Sequence, residues 1–195
     1  APSITIVDDG NGMTESDLLK AMEFGSSDPK AKRPTDDLGR FGLGLKTASI
    51  SQCRRFTVVT RKSGEVSACA WDYDRVGEEN SFKWEVELID DEELVPGSRL
   101  RGLLDNRVVH TKSGTVVLWE NLDRLSQSGG PSEKERQFNR LMLETRRHLE
   151  LVFHRFLAKE PGHNRFQIFI NGDELIPFNP FNAGNNATQE LPLQT

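Results

Sequence analysis

The sequence predicts an α+β domain built on a mixed, mostly antiparallel sheet. The first observation is a hairpin, because the β-branched segment 55–61 and the segment 66–73 are separated by a short turn that contains glycine. The second is the alternation of apolar and charged residues over 82–89, which is typical of a half-exposed antiparallel strand. The third is a pair of helix-start patterns, at Thr14 and Ser132, each with an acidic residue three positions later.

The remaining elements follow from local patterns along the chain. Residues 4–7 form an apolar, β-branched strand that leads into an acidic, glycine-containing turn. The helix that begins at Thr14 carries an apolar stripe and is expected to end at Gly25. Residues 100–109 show no decisive pattern and stay unassigned. Residues 115–119 are expected to form the last strand of the main sheet.

The C-terminal third contains one long predicted helix and one predicted strand. The pattern at Ser132 opens a helix that extends to about residue 158, with its apolar residues on one face. Residues 166–173 are expected to form a strand and a tight turn, and the segment that follows Pro177 is polar and typical of a linker.

Composition narrows the class of protein. A chain of 195 residues with a net charge of −5 suits one domain, with the beginning of a second, and gives no general reason to expect nucleic-acid binding. Cys53 and Cys69 lack metal-ligand spacing, so we expect buried free thiols and no metal site made from cysteine or histidine. No apolar run approaches the length of a membrane span and nothing resembles a signal peptide, so we expect an intracellular, cytoplasmic protein.

The most informative segment is the glycine-rich run that continues into an apolar helix start. Gly39, Gly42 and Gly44 allow the backbone to approach another group closely, and the helix that follows presents free N–H groups to one spot. This arrangement suits a phosphate. It is not a P-loop, because Leu45 separates Gly44 from Lys46, and it lacks the third glycine of a dinucleotide-binding loop.

Two further motifs place this run in a known family. Upstream, the strand 4–7 leads into the pattern Asp8-x-Gly10-x-Gly12, and downstream a Gly-Thr pair opens the strand at Thr115. The three motifs in this order resemble the ATP-binding domain of the GHKL superfamily, which includes gyrase B, heat-shock chaperones, histidine kinases and MutL. The resemblance covers roughly residues 4–120. Within the superfamily, the segments 24–27 and 39–49 are most similar to MORC-like and chaperone-like members.

The resemblance implies a fold and a ligand. The fold is the two-layer α/β sandwich of the GHKL (Bergerat) type, with helices over one face of the sheet. The ligands are ATP or ADP, with Mg²⁺. The nucleotide-binding residues that it implies are Asp8, Gly10, Gly12, Met13, Gly39, Arg40, Phe41, Gly42, Leu43, Gly44, Leu45, Lys46 and Thr115.

The chemistry of these residue types suits adenine and phosphate. A buried, ionised carboxylate at Asp8 would accept a hydrogen bond from the N6 amine of adenine and would face a carbonyl in guanine, so GTP should be rejected. Gly10 and Gly12 would let the turn lie flat near the base, with Met13 as an adaptable apolar wall. Lys46 is a candidate charge partner for the phosphates.

Residues 25–38 are polar and contain one glycine, two serines, two prolines and six charged residues, which is typical of a mobile loop. The resemblance implies that this loop is the ATP lid; the alternative is a surface loop without a role. In the superfamily, hydrolysis needs a glutamate and a Mg²⁺-binding asparagine on a helix before the Asp8 motif. No Glu or Asn precedes Asp8, so we expect the catalytic residues and the Mg²⁺ ligand upstream of residue 1, and no turnover by this chain alone.

These observations predict a function and a domain organisation. Residues 1–160 would form the ATP-binding domain without its first helix, and 161–195 a strand and linker towards a second domain. ATP binding and hydrolysis in the full-length ATPase would act as a conformational or dimerisation switch, with a nucleotide-dependent homodimer as partner. The alternatives are the catalytic domain of a histidine kinase and a non-catalytic interaction module. A protein client or nucleic-acid partner is not indicated by the sequence.

Overall fold

The structure is a computed structural model that describes residues 2–23, 43–75, 86–107, 112–123, 130–158, 166–182 and 185–189. The chain divides into two compact units, 1–124 and 125–195, and each is described by itself. The division falls inside the range 1–160 that the sequence assigns to the ATP-binding domain, and that assignment stays a prediction.

A five-stranded antiparallel sheet forms the centre of the first unit. Its strands are β1 Ile4–Asp8, β2 Cys53–Lys62, β3 Glu65–Asp72, β4 Glu87–Leu88 and β5 Gly114–Leu122. The order across the sheet is β1-β5-β2-β3-β4. The long apolar strand β2 pairs with β3 on one side and β5 on the other, whereas β1 pairs with β5. The predicted, mostly antiparallel sheet is therefore confirmed, and every pairing among the described strands is antiparallel.

Two helices pack on one face of this sheet. Helix α1, Glu15–Met22, begins at Thr14, whose Oγ1 accepts from the backbone N–H of Asp17 at 3.2 Å. The Asp17 carboxylate in turn accepts from the Thr14 N–H at 3.2 Å, so the predicted capping box is confirmed. Helix α2, Gly44–Ile50, packs on the same apolar cluster through Leu45.

Specific contacts hold these helices on the sheet. Leu18 and Met22 of α1 are fully buried against Val58 of β2. The hydroxyl of Ser49 in α2 accepts a hydrogen bond from the indole N–H of Trp119 in β5 at 2.9 Å. Together α1 and α2 form the helical layer that the sequence predicts for a two-layer sandwich.

The opposite face of the sheet carries a second, smaller core. A 3-10 helix, Asp91–Leu94, and helix α3, Arg99–Arg107, lie along this face. Leu104 of α3 is fully buried in a cluster that includes Val59 and Val116. Residues 100–107, which the sequence left unassigned, are therefore largely helical.

The second unit contains two helices and a small hairpin. These are α4 Pro131–Val152, α5 His154–Leu157, β6 Phe169–Ile170 and β7 Asp173–Glu174. The expected cap at Ser132 is wrong: the N-cap is Gly130, two residues earlier, and the helix begins at Pro131. Proline suits the first helical position, because its φ is already helical and the N–H that it lacks has no partner there.

The two cysteines are free and buried, as expected. Burial raises the pKa of Cys53 to about 11 and that of Cys69 to about 12. Both thiols therefore stay protonated near neutral pH and behave as small apolar side chains. Among the helices that the structure describes, none is long and apolar enough to cross a membrane.

Candidate functional site

The site is built where three neighbouring strands bring polar side chains into one row. Asp8, the last residue of β1, lies directly opposite Thr115 of β5, which lies opposite Thr60 of β2. Residues paired in this way have side chains on the same face of a sheet. The same strand register places Val58 and Val117 on that face, so the row lies on the side that α1 and α2 cover.

Hydrogen bonds connect this row into a network. The hydroxyl oxygens of Thr60 and Thr115 are 3.2 Å apart. Thr115 lies directly opposite Asp8 across the strand pair, and a hydrogen bond from its hydroxyl lowers the pKa of the Asp8 carboxyl. The backbone N–H of Met13 donates to Thr60 Oγ1 at 2.9 Å. Thr60 has no exposed surface and Thr115 is 7% exposed, so the bond between their hydroxyls is shielded from water. Two residues that the sequence indicated separately, Asp8 and Thr115, are thus in direct contact.

Asp8 occupies the outer end of the row. Its Oδ1 accepts the backbone N–H of Gly10 at 2.9 Å, which fixes the orientation of the carboxylate. Removal of the carboxylate from water raises its pKa, the hydrogen bonds from Gly10 and Thr115 oppose this rise, and the charge of Asp9 adds to it. The residue is nevertheless exposed, where we expected burial, because the strand that carries it lies at the edge of the sheet.

The turn after Asp8 is held tightly against the sheet. Gly12 adopts a φ of +62°, and a Cβ added there would lie 1.9 Å from the backbone oxygen of Arg61. Glycine is therefore required by contact with the end of β2, in addition to any approach of a base. Met13 follows in a partly buried position against the apolar cluster of the helix-covered face.

The start of α2 is the described part of the glycine-rich run. Gly39, Arg40, Phe41 and Gly42 lie outside the described residues, as do the predicted lid 25–38 and its neighbours. Leu43 and Gly44 are exposed, and a Cβ at Gly44 would meet no atom within 4 Å. The N–H groups of the first helical turn have no acceptor earlier in the helix, so this end offers donors to an anion.

Lys46 is placed differently from the other members of the run. Its side chain is 1% exposed, and Nζ donates to the carbonyl oxygens of Ala21 and Glu23, each at 2.7 Å. Burial lowers the pKa of the ammonium group, and the nearby Glu23 carboxylate opposes this change. The lysine thus satisfies the C-terminal carbonyls of α1, and the role of phosphate partner for Lys46 stays a prediction.

Sequence reasoning missed Thr60. A threonine inside a β-branched strand is typical of sheets, and its neighbours give no sign that its hydroxyl joins the turn at Met13 to Thr115. The strand register supplies that information, and register over this distance is not readable from local pattern.

The residues at the outer end of the row suit adenine. The Asp8 carboxylate is oriented by donors and exposed to solvent, which suits an amine donor in a ligand. Within the described ranges, no group of three or more His, Cys, Asp or Glu side chains could hold a metal ion. The Mg²⁺ ligand that we expect upstream of residue 1 stays a prediction.

Comparisons with known proteins identify the family of this chain. Residues 1–115 match the family model described as histidine kinase-, DNA gyrase B-, and HSP90-like ATPase. A comparison with curated proteins finds no match. One similar solved structure contains the ATPase and transducer domains of DNA topoisomerase II from Balamuthia mandrillaris, with 16% identity and a TM-score of 0.44. The match covers 91% of this chain and 40% of that chain, so this chain spans less than half of its length.

Proposed function

Because this chain belongs to the histidine kinase-, DNA gyrase B- and HSP90-like (GHKL) ATPases, we propose that its ATP-binding domain works as a nucleotide-dependent conformational or dimerisation switch. The observation that carries the proposal is the row Asp8–Thr115–Thr60. It presents one carboxylate, oriented by Gly10 and Thr115, at the solvent edge of the helix-covered face.

Adenine is the base that this carboxylate would recognise. Its N6 amine donates, and the ionised Asp8 accepts, which gives a charge-assisted hydrogen bond. A guanine would place its O6 acceptor against the same carboxylate and would leave two acceptors unpaired. Met13 beside this position offers an apolar and adaptable surface to the ring.

The phosphates would bind at the start of α2. There the N–H groups of the segment 44–46 precede the first intrahelical bond, which the Thr47 N–H donates to the Leu43 carbonyl, and they lie at the positive end of the helix dipole. When bound, Mg²⁺ would neutralise phosphate charge and bridge phosphate oxygens. We assign the lid to 25–38, as the resemblance implies.

One contact connects the proposed phosphate site to the segment before the proposed lid. Lys46 of α2 bonds to Ala21 and Glu23 at the end of α1, immediately before the segment assigned to the lid. A ligand that moves the start of α2 would therefore alter the anchoring of that segment. We further propose that the protein is intracellular, resembles MORC-like and chaperone-like switch proteins, and dimerises when ATP is bound.

Calorimetry and sedimentation would test the proposal. ADP and ATP should bind with Mg²⁺, and GTP should bind at least about tenfold more weakly, which is the ratio expected from about 1.4 kcal/mol of lost hydrogen bonding. A non-hydrolysable ATP analogue should raise the sedimentation coefficient in a concentration-dependent way, while ADP should not. Equal affinity for ATP and GTP would refute the adenine site. The switch would be refuted if the ATP analogue binds but changes neither the association state nor the protection of 25–38 from protease.

A further inference from the structure

We infer that Thr60 is a positioning residue that determines adenine specificity by directing the hydroxyl proton of Thr115 towards Asp8. This inference deepens the proposed function and rests on it. Thr60 lies in the central strand β2, has no exposed surface, and lies two strands away from Asp8, so it would not touch a bound base itself.

The direction of the network follows from what each group can donate. The backbone N–H of Met13 can only donate, and its bond at 2.9 Å occupies a lone pair of Thr60 Oγ1. At the other end, Asp8 lies directly opposite Thr115 in the strand register, and an ionised carboxylate can only accept, so the proton of the Thr115 hydroxyl is directed to Asp8. Thr115 Oγ1 can then act only as an acceptor in its contact with Thr60.

The hydroxyl proton of Thr60 fixes the remaining bond of the network. Thr60 Oγ1 lies 3.2 Å from Thr115 Oγ1 and 3.3 Å from the carbonyl oxygen of Gly114, so both acceptors share one donor. Donation to Thr115 leaves the Thr115 proton committed to Asp8. The donors then run in one direction, from Met13 through Thr60 and Thr115 to Asp8, and each hydroxyl polarises the next.

The consequence is a carboxylate held as an acceptor. Gly10 and Thr115 both donate to Asp8, so its remaining lone pairs suit a donor on the ligand, as the N6 amine of adenine is. Without the Thr60 hydroxyl, Thr115 loses a donor and can rotate its own proton away from Asp8. Thr60 also ties the turn at Met13 to the sheet, so a loss of general binding must be separated from a loss of specificity.

The test varies residue 60 and the ligand together. ADP and inosine diphosphate differ in the group at position 6, an amine in one and a carbonyl in the other. Thr60→Val removes the hydroxyl at nearly constant shape, Thr60→Ser keeps it, and Thr60→Cys replaces it with a weakly bonding thiol. Thr57→Val is the matched control, because Thr57 is a buried threonine of the same strand on the opposite face.

The measured quantity is the ratio of the dissociation constants for inosine diphosphate and ADP, obtained by calorimetry. Thr60→Val should lower this ratio roughly fivefold to tenfold, the effect of about one hydrogen bond, while Thr60→Ser and Thr57→Val keep it within about twofold. A purely structural role would weaken both ligands equally and leave the ratio unchanged. That result would overturn the inference.

Three further outcomes keep the test decisive. If Thr60→Val does not fold, the Ser and Cys variants differ in a single atom, and equal ratios in these two would overturn the inference. If the unaltered protein binds ADP but Thr60→Val changes nothing, the inference fails and the proposed function stands. If the unaltered protein binds neither ligand, both are refuted.

Discussion

Replacing Gly12 with alanine tests the turn that follows Asp8. Gly12 has a φ of +62°, and the added Cβ would lie 1.9 Å from the carbonyl oxygen of Arg61 and 3.3 Å from the backbone nitrogen of Gly114. These are backbone atoms of β2 and β5, which cannot rotate away as a side chain can. The turn must therefore move away from the sheet in the variant.

The expected loss of stability in Gly12→Ala has two parts. A left-handed conformation costs an alanine about 1–2 kcal/mol relative to glycine. Overpacking against fixed neighbours adds about 1–3 kcal/mol. We therefore expect Gly12→Ala to lower the free energy of unfolding by about 2–5 kcal/mol, a large part of the 5–15 kcal/mol typical of a domain.

Gly64→Ala is the matched control. Gly64 also has a positive φ, of +92°, in the turn between β2 and β3, but a Cβ there would meet no atom within 4 Å. This variant should lose only the conformational part, about 1–2 kcal/mol. Urea unfolding followed by tryptophan fluorescence gives both values, and calorimetry with ADP should show weaker binding for Gly12→Ala alone. Equal stability of the two variants, with equal ADP affinity, would refute the role of the close contact.

Three shorter predictions concern charge. Asp8→Asn should weaken ADP binding by about 1.5–3 kcal/mol, the value of a charge-assisted hydrogen bond, whereas Asp9→Asn should not; unchanged affinity in a folded Asp8→Asn variant would contradict the adenine assignment. Because the pKa of Asp8 is raised above 3.8, ADP affinity should be complete above this raised pKa and should be lost as the pH falls through it. Calorimetry at a series of pH values should show this loss, and a flat Asp8→Asn profile serves as control. Lys46→Met should lower the free energy of unfolding by about 1–3 kcal/mol, because two carbonyls at the end of α1 lose their donor. Lys20→Met, on the exposed side of α1, is the control and should have little effect. Equal urea midpoints for the two variants would contradict this prediction.

Local patterns were sufficient for most elements of the sheet and for α1. The β-branched run of β2, its turn and β3 follow from a hairpin pattern, and the box at Thr14 depends on residues only three positions apart. Helix α3 was not predictable, because its arginines, glycine and Asp-Asn pair give no strong apolar stripe. The Ser98 hydroxyl does cap its start, where it accepts from the Arg101 N–H at 3.3 Å, but one serine after a Pro-Gly pair is equally typical of a turn. At Ser132 the local signal was misleading, because Pro131 competes for the same helix start.

The site was predictable as a set of motifs but not as a network. Asp8, Gly12 and Thr115 belong to recognisable patterns, whereas Thr60 and the partners of Lys46 depend on strand register and helix packing. Burial of Lys46 also contradicts the usual preference of lysine for the surface, since its ammonium replaces water with two carbonyl oxygens. Such exchanges are decided by tertiary contacts.

The pairing of β1 with β5 has a consequence for how the protein is made. The hairpin of β2 and β3 joins neighbouring segments, and its loop closes at little entropic cost. Asp8 and Thr115, by contrast, stand near opposite ends of the first unit, and their pairing is among its longest-range contacts. Such contacts form slowly, because the intervening chain must first be ordered. During synthesis β1 is therefore made before β5 but can pair only after β5 has been made. The proposed nucleotide site forms only once the first unit is complete.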